Sequence, residues 1–265
     1  MSRDFLFASG QSNTALTRLI STAATATGFM KGAPGDAPVG WHQLGRDNRD
    51  FYSGLHQRLA ASYPGAGVPF YAVRLWTNLI WQPAYLGVIA VHLHGALPEL
   101  GTIAQAPNGI YVSDYRLRPG PQYRDATEAM IGKAGQDLRR FAERVLAEIN
   151  TFIPLKCRPA LYLLAERMLS LMVRLRHFQP SLSLQEQLGF TTLWLEAMGL
   201  TGYGDLEVTR LPDGRDIAIV ARKGCCLDYL ITPDRLCASC PKQSKALRVM
   251  RQRDNAMAEM AVTDR

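Results

Sequence analysis

Cysteine is scarce over most of this chain: the first 224 residues hold Cys157 and no other. A disulfide framework threaded through the body is thereby excluded. The five histidines are scattered. His92 and His94 sit two apart in an apolar stretch, where a satisfied core or surface role is expected rather than a metal site. Long apolar runs are missing as well. Met1 to Ala8 holds only a brief apolar patch, whereas a secretory leader needs an apolar core of about 7–15 residues. Val68 to Leu100 is interrupted by Arg74, Gln82, Pro83 and the two histidines, short of the roughly 20 residues a membrane span requires. There is no internal repeat, no low-complexity tract and no G-x-x-x-x-G-K phosphate loop. We expect a soluble cytoplasmic protein with no membrane span, peripheral association being left open.

What is present suits a packed core. The chain has 265 residues and 47% hydrophobic content, enough for one large or two small domains. The formal net charge is +7, and it is unevenly placed. Arg222 to Arg253 carries eight basic residues against Asp228 and Asp234. That stretch is the basic pole of the sequence.

The periodicities predict an α+β fold. A helix is expected over Thr14–Thr27, then a Gly/Pro segment over 28–40, then a helix from an Asp47 or Asn48 cap to Ser62 with Phe51, Leu55 and Leu59 inward. Val68–His94 reads as two apolar helices broken near Gln82–Pro83, because proline inside a helix costs about 3 kcal/mol. Within 101–117, Asn108-Gly109 between two short apolar runs signals a hairpin. Helices follow over 126–149, 159–177 and 184–198, the last opened by a Ser183/Glu186 capping box. Period-two segments over 206–211 and 216–222, joined by Pro212-Asp213-Gly214, make a strand pair. A closing helix over 241–260 should turn Leu247, Met250, Met257 and Met260 inward. The division expected is a mainly helical body with its hairpin over 1–200, and the strand pair, cysteine segment and closing helix over 201–265, integrated as one domain. Trp41, Trp76, Trp81 and Trp194 have two readings, the lining of a substrate pocket or the core, and aromatic residues at helical spacing favour the core.

Four cysteines crowd into the segment that follows the second strand: Cys225, Cys226, Cys237 and Cys240, spaced C-C-x10-C-x2-C. In a reducing compartment such a cluster binds metal or does redox chemistry. Four thiolates suit a tetrahedral zinc or an iron-sulfur cluster. Structural zinc usually draws on two C-x2-4-C knuckles. Adjacent cysteines point to opposite sides of an extended chain, so Cys225-Cys226 needs a local bend or two separated metals. Gly224 offers freedom for a bend. Cys157, between Lys156 and Arg158, is expected to be partly buried and structural, or an idle thiol.

The run Arg222-Lys-Gly-Cys-Cys-Leu-Asp-Tyr229 with Cys237-Ala-Ser-Cys-Pro241 resembles the C-terminal signature of the FhuF-type ferric siderophore reductases. By that resemblance Cys225, Cys226, Cys237 and Cys240 are ligands of a 2Fe-2S cluster. The activity implied is one-electron reduction of Fe(III) in an imported siderophore, of the hydroxamate kind. Hard oxygen donors hold Fe(III) tightly and Fe(II) weakly, so one electron releases the iron. A reduced ferredoxin- or flavodoxin-like protein would supply it, and Lys242, Lys245, Arg248 and Arg251 would steer that donor or an anionic ferric siderophore; the alternative for these four is a solvated helix face. Other readings are an iron-sulfur redox sensor and a zinc-knuckle nucleic-acid-binding protein. The latter lacks a C-x2-C pair at both ends and an RNP-like aromatic motif, so no nucleic-acid partner is expected.

Overall fold

The computed structural model describes residues 9–263; the apolar patch at Met1–Ala8 lies outside them. Helix α1 (Ser9–Thr27) buries Leu16, Leu19, Ile20 and Ala23, and α2 (Arg49–Ser62) buries Phe51, Leu55 and Leu59, the stripes the sequence spacing predicts. At the start of α2 the Asp47 carboxylate accepts the Arg49 N–H at 3.1 Å, while the Asn48 side chain turns away to bond both backbone groups of Gln43. Between the two helices, the Gly/Pro segment contains a strand that the sequence did not signal, β1 (Lys31–Pro34), followed by the short β2 (His42–Gln43).

The expected break at Gln82–Pro83 does not occur. Helix α3 runs unbroken over Val68–Ile89 and continues through a π-turn, Ala90–His94. Proline at position 83 removes the N–H that would bond the Leu79 carbonyl. The buried Gln105 side chain supplies the missing donor, its Nε2 lying 3.0 Å from the Leu79 oxygen and 2.9 Å from Gln82 Oε1. A proline in a helix is tolerated where another element satisfies the freed carbonyl. Gln105 sits on β3 (Ala104–Asn108), which forms the predicted hairpin with β4 (Tyr111–Leu117). Gly109, at φ 59°, provides the left-handed turn residue.

These strands make a four-stranded mixed sheet in the order β1-β4-β3-β2, with β1 parallel to β4 and the rest antiparallel. Tyr115 lies where any side chain on Gly32, its partner in β1, would have to go. Helix α4 (Thr127–Phe152) packs its apolar face on α3. Helix α5 (Cys157–Met172) lies along α3 too, with Trp76 Nε1 donating to the Ala160 carbonyl at 2.8 Å. The helix expected over 159–177 is interrupted at Val173–Arg174 and ends as α6 (Leu175–Phe178). Ser183 and Glu186 form the predicted capping box of α7 (Leu184–Ala197).

Strands β5 (Gly204–Arg210) and β6 (Asp216–Arg222) pair antiparallel over their full length. Alternation puts Ala218 and Val220 against the main core, which extends from Leu16 to Cys226, and Ile217 and Ile219 against a smaller cluster beneath α8 (Lys245–Thr263). That helix starts four residues later than expected and leans on β6 through Val249, Ala256, Met257 and Met260. Gln252 bonds both the N–H and the carbonyl of Val220, covering the open edge of β6. This rotation leaves Leu247 and Met250 exposed, at 36% and 51%, contrary to the inward placement expected. Trp76 and Trp194 are fully buried, whereas Trp41 and Trp81 are only half-buried and lie outside the core proper. No helix among the described residues is long and apolar enough to cross a membrane.

Candidate metal centre

Strand β6 delivers the chain straight into the cysteine segment, and α5 fixes where it lands. A Cβ at Gly224 would come within 2.9 Å of Tyr162 Cβ and 3.3 Å of the Leu163 nitrogen. Glycine is needed here for that approach; the bend that separates the adjacent cysteines from the following loop falls instead at Leu227. With φ 63° it is the one non-glycine residue of left-handed backbone among the described residues. Such a conformation costs about 1–2 kcal/mol for a branched side chain. Here it turns two backbone N–H groups toward sulfur, that of Leu227 to Cys225 and that of Asp228 to Cys226.

All five cysteines are free thiols. Cys226 and Cys237 approach to 3.6 Å between sulfurs, and Asp228 completes a group whose ligand atoms lie within 4.8 Å of one another and could hold a metal. Asp228 is also ion-paired to Arg74 of α3. Cys225 and Cys240 stand outside that trio. Cys225 is half-buried on a cavity wall. Cys240 is buried at 3% exposure, its N–H donating to the Cys237 carbonyl at 3.0 Å. They are nonetheless near enough that the charge of Cys240 opposes ionisation of Cys225, whose thiol is pushed up chiefly by burial. The hydrogen bond from Cys237, helped by Arg222 and the Asp228 N–H, pulls Cys226 down to about 6, and the same bond pushes Cys237 up. Cys157, expected to be either partly buried and structural or an idle thiol, is exposed at the start of α5, away from any ligand group among the described residues, which fits the second of these.

A buried cation stands beside these thiols. The Arg222 side chain is 4% exposed, with Nε donating to the Gly224 carbonyl at 2.6 Å and Nη1 3.5 Å from Glu166 Oε1 on α5. Its Nη2 is buried without a hydrogen-bond partner. Burial works against the charge, but Glu166 and then the Cys226 and Cys237 sulfurs outweigh it and hold the guanidinium protonated. In the sequence Arg222 stands within the basic pole and at the head of the cysteine run, with no role of its own at the site. Strand parity carries the missing signal, since residue 222 shares the inward face of Ala218 and Val220.

The four basic residues after the motif are each engaged. Lys242 Nζ lies 4.1 Å from the Tyr229 ring centroid, and Lys245 pairs with Glu207 at 3.0 Å. Arg248 donates to the Arg222 carbonyl at 3.3 Å and Arg251 to the Leu236 carbonyl at 3.1 Å, so the two arginines brace the segment. The lysines remain exposed on its surface.

Two cavities flank the segment. One, of about 810 Å³, lies between the N-terminus of α3, the turn into α5 and residues 223–227; Cys225, Lys156 and Lys223 are on its wall. The other, of about 660 Å³, runs under α8 and includes Ala238, Ser239, Asp216 and Glu259. Away from the motif, the buried His42 places Nε2 3.1 Å from the Tyr52 hydroxyl and 3.2 Å from Glu148, fastening β2 to α2 and α4. His92 accepts the Trp194 indole N–H at 2.9 Å, and His94 bonds Gln122 at 2.9 Å, the satisfied roles expected of this pair. No protein-family model matches the chain, and no solved structure matches it.

Proposed function

We propose that the chain is a one-electron oxidoreductase of the ferric siderophore reductase kind, with a 2Fe-2S cluster held by Cys225, Cys226, Cys237 and Cys240. The observation that carries this reading is the arrangement of the thiols: one pair at 3.6 Å and two others set apart from it. A single tetrahedral ion draws four ligands onto one point, whereas two irons ask for two pairs, of which Cys226 and Cys237 are the one in contact and Cys225 with Cys240 the one this reading adds. The donor set also fits in chemistry. It is all sulfur, it accepts N–H groups from Leu227 and Asp228, and a buried guanidinium offers an unpartnered N–H beside it. Asp228 is the competing ligand for a single ion, but its carboxylate is committed to Arg74.

When bound, such a cluster supplies a reversible one-electron couple. The residues of the chain then do the rest. Arg222 places positive charge where reduction adds an electron, which favours the reduced state. Leu227 and Asp228 hold the sulfurs by their backbone donors. Lys242 and Lys245 offer an exposed basic surface to an acidic, ferredoxin- or flavodoxin-like donor protein in the cytoplasm. The substrate is a ferric siderophore, from which Fe(II) dissociates once the metal has gained an electron. Anaerobic purification with absorption and electron paramagnetic resonance spectra tests the cofactor: a red-brown protein with an S = 1/2 signal on reduction is expected, and a colourless zinc protein overturns the reading. Reoxidation of the reduced protein by a ferric chelate separates a reductase from a sensor, which would change a binding partner without turnover.

A further inference from the structure

We propose that the 810 Å³ cavity at Cys225 is the seat of the ferric chelate, and that it takes anionic chelates in preference to neutral ones. This rests on the reductase reading and specifies where its substrate binds. The volume is that of a small-ligand site. Its wall is largely apolar, from Val68, Ala72, Val73 and Leu155, with Tyr162 offering a ring. Cys225 is the one sulfur on that wall, so a chelate seated there meets a cluster ligand directly. Electron transfer between centres without a shared ligand weakens steeply with separation. A seat against Cys225 therefore places the chelate on the short route, which the cavity under α8, carrying no cysteine, does not.

The charge of the cavity selects the chelate. Lys156 and Lys223 line it, and none of its described lining residues is acidic. Lys223 is held at the rim by a 2.6 Å bond from its ammonium to the Gly202 carbonyl. Arg158, bonded to the Tyr162 hydroxyl at 2.9 Å, adds a further positive charge next to the wall. Helices α3 and α5 both begin at this cavity, at Val68 and Cys157, which directs the positive ends of two helix dipoles toward it. The cavity under α8, by contrast, includes Asp216 and Glu259. In the reaction, the reduced protein gives one electron to Fe(III) in the chelate, yielding Fe(II) and the oxidised protein; no covalent bond is made or broken in that transfer. A low-potential one-electron donor protein restores the reduced state.

Gallium(III) complexes test the seat apart from the chemistry, because gallium has the charge of Fe(III) and is not reduced. Trianionic tris(catecholato)gallium and neutral tris(acetohydroxamato)gallium are titrated calorimetrically into the cluster-bearing protein and into two variants altered at exposed positions, Lys156→Glu/Lys223→Glu and Val68→Trp. The double reversal should weaken the catecholate complex by about tenfold or more at low salt and the neutral complex much less. Val68→Trp, which narrows the mouth, should weaken both. Parent-like affinities in both variants, or no binding of either complex to the parent, overturn the proposal. Reoxidation of the reduced parent by a ferric chelate, either the tris-acetohydroxamate or the tris-catecholate, is followed in parallel. If it proceeds while the variants bind as the parent does, the seat is wrong and the reductase reading stands; if it fails, the reductase reading falls, and the seat with it.

Discussion

The unbroken helix through Pro83 makes a quantitative demand on Gln105. Replacing Gln105 with leucine leaves the Leu79 carbonyl and Gln82 Oε1 buried without their donor, at about 1–3 kcal/mol each. Against this, the Gln105 Oε1 has no partner in the native protein, so leucine also removes one buried orphan. The net cost should be about 1–3 kcal/mol. In a Pro83→Ala background the outcome differs, since an alanine N–H at position 83 can bond the Leu79 carbonyl as in any helix. Pro83→Ala alone should matter little, its main effect being about 0.4–1 kcal/mol of added freedom in the unfolded chain. Gln105→Leu should therefore cost about 1–2 kcal/mol less with alanine at 83 than with proline. Urea unfolding of the four proteins, with m values checked for constancy, measures that coupling. If the two substitutions add to within about 0.5 kcal/mol, Gln105 is not what lets the helix pass through proline.

Other outcomes follow from the site. Serine at Cys225, Cys226, Cys237 or Cys240 should abolish colour and the paramagnetic signal, while Cys157→Ser should keep both; a Cys225→Ser protein with its spectrum intact removes that residue from the ligand set. Arg222→Met should make the midpoint potential more negative, on the order of 50 mV for a buried charge partly offset by Glu166, and potentiometry showing no shift removes its electrostatic role. His92, held neutral by burial with a pKa of about 4, binds fewer protons folded than unfolded. Its contribution, on the order of 3 kcal/mol, is complete above about pH 6.5 and is lost as the pH falls toward 4. A His92→Gln protein should unfold with less dependence on pH across that window, and an unchanged slope in urea titrations would contradict the assignment. Lys242→Glu with Lys245→Glu should slow reduction by a ferredoxin-like donor more at low salt than at high salt. Equal rates for parent and variant at both salts would leave the lysines without a steering role.

Much of the scaffold was legible because its signals are local. The Ser183/Glu186 box, the Asn-Gly hairpin and the β5–β6 pair each depend on residues within a few positions of one another. The misreadings share a different origin. Pro83 looks like a stop until a glutamine from another element reaches its freed carbonyl. Strand β1 has only four residues and pairs with β4, so Lys31 has no visible reason to be extended until Asp114 lies beside it. Helical spacing alone turns Leu247 and Met250 inward, but the hold of Gln252 on Val220 and the packing of Val249, Ala256 and Met257 on β6 set the rotation of α8. At the centre itself, the cysteine spacing marked the segment in which the fold brings Cys226 and Cys237 within 3.6 Å of each other. Composition could not show that Leu227, rather than Gly224, makes the bend, or that α5 contributes Glu166 and the wall at Tyr162. Those relations exist only once the segment is laid against the helix.

The close contact of Gly224 with α5 divides the four cysteines by how firmly they are anchored. Cys225 and Cys226 are held where β6 meets the body, because Gly224 just before them lies against Tyr162 and Leu163 of α5. Cys237 and Cys240 follow a loop with exposed residues over 232–235 and are retained by a few bonds, among them Gln243 and Arg251 to the carbonyls of Cys237 and Leu236. One half of the site is thus a cradle and the other a clasp. On the cluster reading proposed above, loading would need only the clasp to swing, and loss would begin as local opening of that half while the body stays folded.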